Sequence, residues 1–330
     1  MIWYPWLNQP YRQIIGQHEA GRGHHALLLQ ALPGMGDASL VWGISRWLMC
    51  QRKDGLKSCG ECHACKLMQA HTHPDWYELT AEKGKSSLGI DAVRSVTEKL
   101  FHHAQQSGSK VIWLPNAAQL TEAAANAMLK TLEEPPANTW FLLCCEQPSQ
   151  LPATLRSRCL TFHLAVPDEA QSMGWLQKQN GAPQQDCLTA LRLSGGAPAA
   201  ALQLLENGWS ARQTLCAALP QALQQDMLSL LPVLNHDDAA QRTGWLCALL
   251  VDALKWQQGG GEFIANADSQ ALIAQIAQQL PASALDESVR QWMYCRDRLL
   301  NVVAVNRELL LTDQLLAWEQ MLHASLVGLK

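Results

Sequence analysis

The sequence predicts an α/β unit built on a parallel five-stranded sheet, followed by an all-helical region. Up to about residue 165, short apolar runs alternate with amphipathic helical periods, as a parallel sheet with crossover helices requires. A glycine-rich turn follows the first apolar run, where a strand hands over to a helix. From residue 209 onward no strand pattern survives, and apolar residues recur at helical spacing.

Strands are expected at 26–30, 75–79, 110–114, 139–145 and 159–164, each short and apolar, as in strands covered on both faces. A helix at 39–49 places Leu40, Val41, Ile44, Trp47 and Leu48 on one face. Another at 91–103 does so with Val93, Val96, Leu100 and the Lys99 stem. Thr121 caps a third, 122–134, which Pro135-Pro136 terminates. Trp3, Tyr4, Pro5 and Trp6 are expected to pack the N-terminal segment on the sheet. Residues 167 to about 207 change to short helices around Ser194-Gly195-Gly196-Ala197-Pro198, read as a small helical domain. Further helices are expected at 211–219, 227–234, 239–257, 269–280, 284–303 and 308–322, with Gly259-Gly260-Gly261 as a loop. The resulting domains are 1–166, 167–208 and 209–330. The third, expected to hold no ionisable cluster within its apolar faces, suits packing or assembly rather than chemistry.

With 330 residues, 48% hydrophobic and 16% charged, the chain can bury a large core. No apolar run approaches the roughly 18 residues of a membrane span, and the start lacks a basic segment followed by an apolar core. A cytoplasmic location is expected, with no membrane partner. A net charge of -4 argues against this chain alone being the main binder of nucleic-acid phosphates, which takes clustered Lys and Arg.

The turn Ala31-Leu32-Pro33-Gly34-Met35-Gly36-Asp37-Ala38-Ser39 has the frame of a phosphate loop, G-x-x-x-x-G-K-[ST], without its chemistry. Gly34 and Gly36 are present, but Ala31, Asp37 and Ala38 stand where the first glycine, the lysine and the magnesium-binding hydroxyl belong. At ~4 Å and an effective dielectric of ~20, one charge pair is worth roughly 4 kcal/mol. Exchanging an attractive Lys for a repulsive Asp37 therefore swings the site by very roughly 8 kcal/mol before solvent relaxation. Tight ATP binding is not expected. Taken alone, the stretch reads as an ordinary strand-to-helix turn, and only the rest of the chain overturns that reading.

Of eleven cysteines, four are bunched at Cys50, Cys59, Cys62 and Cys65. Four thiolates within sixteen residues suffice for one tetrahedral zinc at about 2.3 Å per sulfur, and a reducing cytosol disfavours the alternative, disulfides. His63, His71 or His73 could replace one ligand. Four thiolates close the site, so the zinc is expected to be structural, holding a polar insertion too short to fold alone.

Several segments together resemble one family. They are Arg22-x-His24-His25-Ala26-Leu27-Leu28, the glycine turn, the four-cysteine insertion, Asn126-Ala127-Met128-Leu129-Lys130-Thr131-Leu132-Glu133-Glu134-Pro135-Pro136, and Leu155-Arg156-Ser157-Arg158-Cys159. In this order they resemble the clamp-loader subunits of bacterial DNA polymerase III, which are AAA+ proteins. The resemblance implies a AAA+ sheet domain with a zinc insertion, a helical lid and a helical collar. Where an ATPase of the family has Asp-Glu after the third strand, this chain has Pro115-Asn116; at a hydroxyl-rich sensing segment it has Cys145 and Glu146. The loop Gly195-Gly196-Ala197-Pro198 supplies no arginine to a nucleotide. With the altered loop, these departures imply a subunit without intrinsic ATPase activity, unlike gamma/tau.

Arg158, in Ser157-Arg158-Cys159, matches the family's arginine finger, which reaches the ATP of a neighbouring subunit. Without the resemblance, an ordinary surface ion pair would be the reading of Arg158. Arg156 and the adjacent Glu133-Glu134 read as structural, and His25 lies near where relatives place adenine. The implied role is a scaffold in a hetero-pentamer with gamma/tau and delta, loading the sliding clamp on primed DNA as part of the polymerase's nucleotidyltransferase complex. The rival expectations are a self-contained ATPase and a zinc module binding nucleic acid alone.

Overall fold

The computed structural model describes residues 1–82, 84–106, 108–302 and 304–327, divided into two compact units, Met1–Pro167 and Asp168–Lys330. Among the described residues no helix is long and apolar enough to cross a membrane.

The first unit is a parallel sheet of β1 (Ala26–Gln30), β2 (Trp76–Glu78), β3 (Lys110–Leu114), β4 (Thr139–Cys145) and β5 (Leu160–His163), in the order β2-β3-β4-β1-β5. β1 pairs on both sides, with Ala26 opposite Phe141 and Leu27 opposite Leu160, so Leu27, Leu28 and Leu29 are buried. β1, β3 and β4 begin and end where their apolar runs do. β2 and β5 are shorter than expected because each pairs on one side only, and β5 leaves Leu160, Thr161 and His163 exposed.

Among the described residues six α-helices accompany the sheet: α1 (Asn8–Glu19), α2 (Asp37–Met49), α3 (His63–Gln69), α4 (Ile90–Leu100), α5 (Glu122–Glu133) and α6 (Ala153–Arg156). Thr121 Oγ1 accepts from Ala124 N at 3.2 Å, the cap its position predicts. α4 stops three residues short of the expected 103. Its end is held by buried Lys110, whose Nζ donates to Leu100 O and, at 3.0 Å, to His102 O. Burial lowers the Lys110 pKa. α1 and α3 carry little sequence signal, since α1 is polar apart from the buried pair Ile14 and Ile15, and α3 is only seven residues long.

The second unit is helical: α7 (Glu169–Asn180), α8 (Gln184–Leu193), α9 (Pro198–Gln203), a π turn (Leu204–Gly208), α10 (Trp209–Gln224), α11 (Leu231–Leu234), α12 (Ala239–Gln257), α13 (Gln270–Gln279), α14 (Ala282–Asn301) and α15 (Arg307–Val327). The end of the helix expected at 284–303, Val303, lies outside the described residues, as do 328–330. One hydrophobic cluster runs from Leu176 through Leu250 to Leu322, so the helices on both sides of residue 208 share a core.

That core contains an ionisable cluster, contrary to the expectation for 209–330. Arg212 is fully buried and donates to Asp268 at 2.7 and 2.8 Å and to Asn266 Oδ1 at 2.7 Å. Thr189 Oγ1 on α8 donates to Asp268 at 3.0 Å, and buried Asp252 on α12 accepts from Ala265 N, Asn266 N and Asn266 Nδ2. The charges are paired and their acceptors filled, so the cluster ties α8, α10 and α12 to the 265–268 turn. Removing one partner strands the other buried charge. Arg212→Ala should therefore cost about 3–5 kcal/mol in chemical denaturation, while Arg290→Ala, at an exposed ion pair, should cost under about 1 kcal/mol.

Candidate functional site

The turn leaving β1 keeps the backbone of a phosphate loop. Gly34 and Gly36 have φ of 82° and 84°, a conformation that glycine adopts without strain, and Gly36 O accepts from Leu40 N at 3.0 Å to start α2. The space over the loop is filled by the chain itself. A Cβ on Gly36 would lie 2.5 Å from the Tyr4 ring and 3.3 Å from Leu7. Trp6 Nε1 donates to Met35 O at 2.8 Å, Ser39 Oγ donates to Ile2 O at 2.7 Å, and Tyr4 stacks on Trp6. Tyr4, Trp6 and Leu7 thus pack over the glycine turn, and the Ile2 carbonyl holds the start of α2.

Asp37, at the lysine position, is the first residue of α2. The N–H groups of Asp37 and Ala38 and the Cys144 thiol favour its ionised form, so the helix N-terminus that would receive a phosphate carries the chain's own carboxyl. Burial outweighs this effect and raises the Asp37 pKa.

Other sequence-predicted positions have structural partners. Asn116, where the ATPases carry an acid, accepts from Ala118 N at 3.1 Å and caps the turn after β3. Cys145 ends β4, buried opposite Gln30, and burial raises its pKa. His25 Nε2 donates to Leu132 O at 2.8 Å.

The four cysteines converge. All four Sγ atoms lie within 4.8 Å of one another, with Cys50–Cys59 at 3.6 Å and Cys59–Cys65 at 4.0 Å. Those separations bracket the S–S edge of about 3.8 Å that follows from a tetrahedron with 2.3 Å metal–sulfur bonds. They exceed a disulfide bond, about 2.05 Å, and all four cysteines are free. Cys50 follows α2, Cys62 caps α3, and Cys65 sits in the first turn of α3, so two helix ends aim three sulfurs at one point. Cys59 N donates to Cys50 Sγ, and Cys62 N to Cys59 Sγ, both at 3.3 Å. Backbone donors at Cys62 and Glu61 lower the Cys59 pKa to about 6, whereas burial and the Cys62 bond raise Cys65 to about 12. The donor set fits one soft dication, whose charge would deprotonate the remaining thiols. No histidine joins this group among the described residues: His71 stacks on Trp42, and His73 Nδ1 accepts from Asp75 N.

Arg158 follows α6 in a turn fixed by Leu155, fully buried, and Cys159, packed against the same core. Its Nε donates to Glu133 Oε1 at 2.7 Å, Nη2 donates to the same oxygen, and Nη1 donates to Thr154 O at 2.6 Å. The ion pair that is the alternative reading of Arg158 is therefore present. Glu133 stands twenty-five residues away on α5, and no motif signals the pairing. Arg156 is exposed.

This sheet order, the glycine turn feeding α2 and the arginine-bearing turn after α6 define a AAA+ protein of the clamp-loader class. The family model for the DNA polymerase III delta subunit matches residues 6–168. Those for the AAA+ ATPase lid domain of DNA polymerase III delta-prime and for the C terminal of the delta subunit match residues 167–206 and 206–320. The chain is 58% identical to the DNA polymerase III subunit delta-prime of Yersinia pestis, over 98% of this chain and 97% of that protein. It is 50% identical to that of Escherichia coli strain K12, over 99% and 98%. A gamma subunit-related protein from Thermotoga maritima matches with a TM-score of 0.46 at 16% identity, over 95% of this chain and 98% of that one. The chain belongs to the delta-prime family of bacterial DNA polymerase III subunits.

Two outcomes are expected at these sites. A folded-state pKa raised at Asp37 means that its proton stabilises the fold below the unfolded pKa, and that this contribution is lost as pH rises. Asp37→Asn should therefore raise the melting temperature at pH 7, with the gain shrinking toward pH ~4. Elemental analysis of the purified chain should give one divalent ion per molecule, and Cys62→Ser should lose that ion and lower the melting temperature.

Proposed function

We propose that this chain is the nucleotide-inert subunit of its clamp loader, a fixed body that donates Arg158 to the ATP of a neighbouring subunit. The observation that carries this reading is the filled loop. Asp37 places its carboxyl at the start of α2, and Tyr4 and Trp6 cover the glycine turn, so a triphosphate would meet a carboxyl and an aromatic lid together. Pro115-Asn116 offers no carboxylate for magnesium, which removes the means of polarising an attacking water.

The partners in this reading are gamma/tau and delta in a hetero-pentamer that loads the sliding clamp on primed DNA in the cytoplasm. Exposed apolar side chains on the last two helices support assembly there: Met293 at 58%, Tyr294 at 65%, Leu300 at 58%, and Leu309 at 66%. In the same reading the boundaries are 1–166, 167–208 and 209–330, as a AAA+ domain, a lid and a collar. Cys50, Cys59, Cys62 and Cys65 hold structural zinc, chosen by four soft thiolates in tetrahedral array. A closed four-sulfur site leaves no position for a reacting water, so the metal's part is to fix the insertion between α2 and β2.

In the complex reconstituted with gamma/tau and delta, Arg158→Ala should leave assembly intact, as weighed by light scattering. It should lower clamp- and DNA-stimulated ATP hydrolysis at the adjoining site by up to ~10³. An unchanged rate at that site would refute the donated finger.

A further inference from the structure

We infer that Glu133 is the positioning residue for Arg158, holding the guanidinium by the edge that Nε and Nη2 share and leaving an N–H on each Nη for the phosphates of the adjoining subunit. The inference rests on the proposed finger role and adds a residue to it. Both ends of the contact are rigid. Glu133 ends α5 immediately after Leu132, which is 1% exposed, and Pro135-Pro136 stops the chain from continuing the helix. Arg158 lies between Leu155 and Cys159, both packed on the cluster that contains Leu132. The side chains therefore meet across a common core, as a site held to a fraction of an ångström requires.

The pattern of bonds decides between a support and a restraint. A guanidinium has five N–H groups. Glu133 Oε1 takes the Nε and one Nη2 group, and Thr154 O takes one from Nη1. One group on each Nη carries no bond among the described residues. Glu133 thus occupies the edge that Nε and Nη2 share, and one N–H on each Nη is left for phosphate oxygens. Arg158 need not break from Glu133 to act. An arginine held in this way has already lost most of the rotamer freedom that an unsupported finger would lose on reaching the phosphate. The Glu133 side chain is 50% exposed, so water screens its charge and the cation keeps most of its attraction for the anion.

The test uses the reconstituted complex, with the fingers of its gamma/tau copies removed so that stimulated hydrolysis depends on this chain. Glu133→Ala should lower kcat about tenfold with KM for ATP and assembly unchanged. Glu133→Gln, whose amide oxygen still accepts both bonds, should recover most of the rate. Glu133→Asp, which keeps the charge but is too short to reach, should not. The Glu133→Ala/Arg158→Ala double variant should be no slower than Arg158→Ala alone. If Arg158→Ala itself leaves the rate unchanged, the finger reading fails. If Arg158→Ala is slow while Glu133→Ala equals or exceeds the unaltered chain, the finger stands and the positioning role is overturned. Losses that multiply in the double variant, or an Asp variant as fast as Gln, would also overturn it.

Discussion

The N-terminus of α2 presents unpaired N–H groups and the positive end of a helix dipole, and the anion that satisfies them determines what the first unit can do. In this chain the phosphate's place is taken by Asp37, the helix's own first residue, whose carboxyl lies beside those donors. The rest of the loop follows from that choice. With no phosphate to leave room for, the glycine turn accepts the Tyr4 ring against Gly36, and Met35 O takes the Trp6 indole proton. At the ends of β3 and β4, Asn116 caps a turn and Cys145 is packed into the core. The loop shape persists because β1, which feeds it, is paired on both sides, and a different backbone there would disturb two ladders.

The fold is legible wherever burial on both faces leaves an unbroken apolar run. β1, β3 and β4 are such runs, whereas the edge strands β2 and β5, each with one partner, are shorter than their sequence pattern suggests. The helix α1 has no amphipathic signature: all but Tyr11, Ile14 and Ile15 are polar, glycine or proline, and its buried pair is adjacent rather than periodic. The cysteine cluster is legible in full, since spacing alone confines four sulfurs to a small volume. The Glu133–Arg158 contact is not, because it joins two elements that come together only when the sheet is formed. The same holds for Arg212 and Asp268, fifty-six residues apart, which join helices that periodicity describes one at a time.

Both units use polar groups in places where apolar packing alone could not specify geometry. In the second unit, the buried Arg212–Asp268–Asn266–Asp252 set fixes α8, α10 and α12 against one turn. In the first, Lys110 closes the end of α4. Four sulfurs gather the insertion between α2 and β2. Arg158 belongs to this group, its backbone set by the core and its side chain by a carboxylate. It differs in leaving one N–H on each Nη without a bond among the described residues, and in the proposed role these are the chain's contribution to chemistry carried out on a neighbour's nucleotide.

The claim on which this account turns is that the loop between β1 and α2 holds no nucleotide, and equilibrium titration of the isolated chain with fluorescent ATP and magnesium tests it most directly. The account predicts no saturable binding up to millimolar nucleotide. A micromolar Kd, abolished by unlabelled ATP, would contradict it.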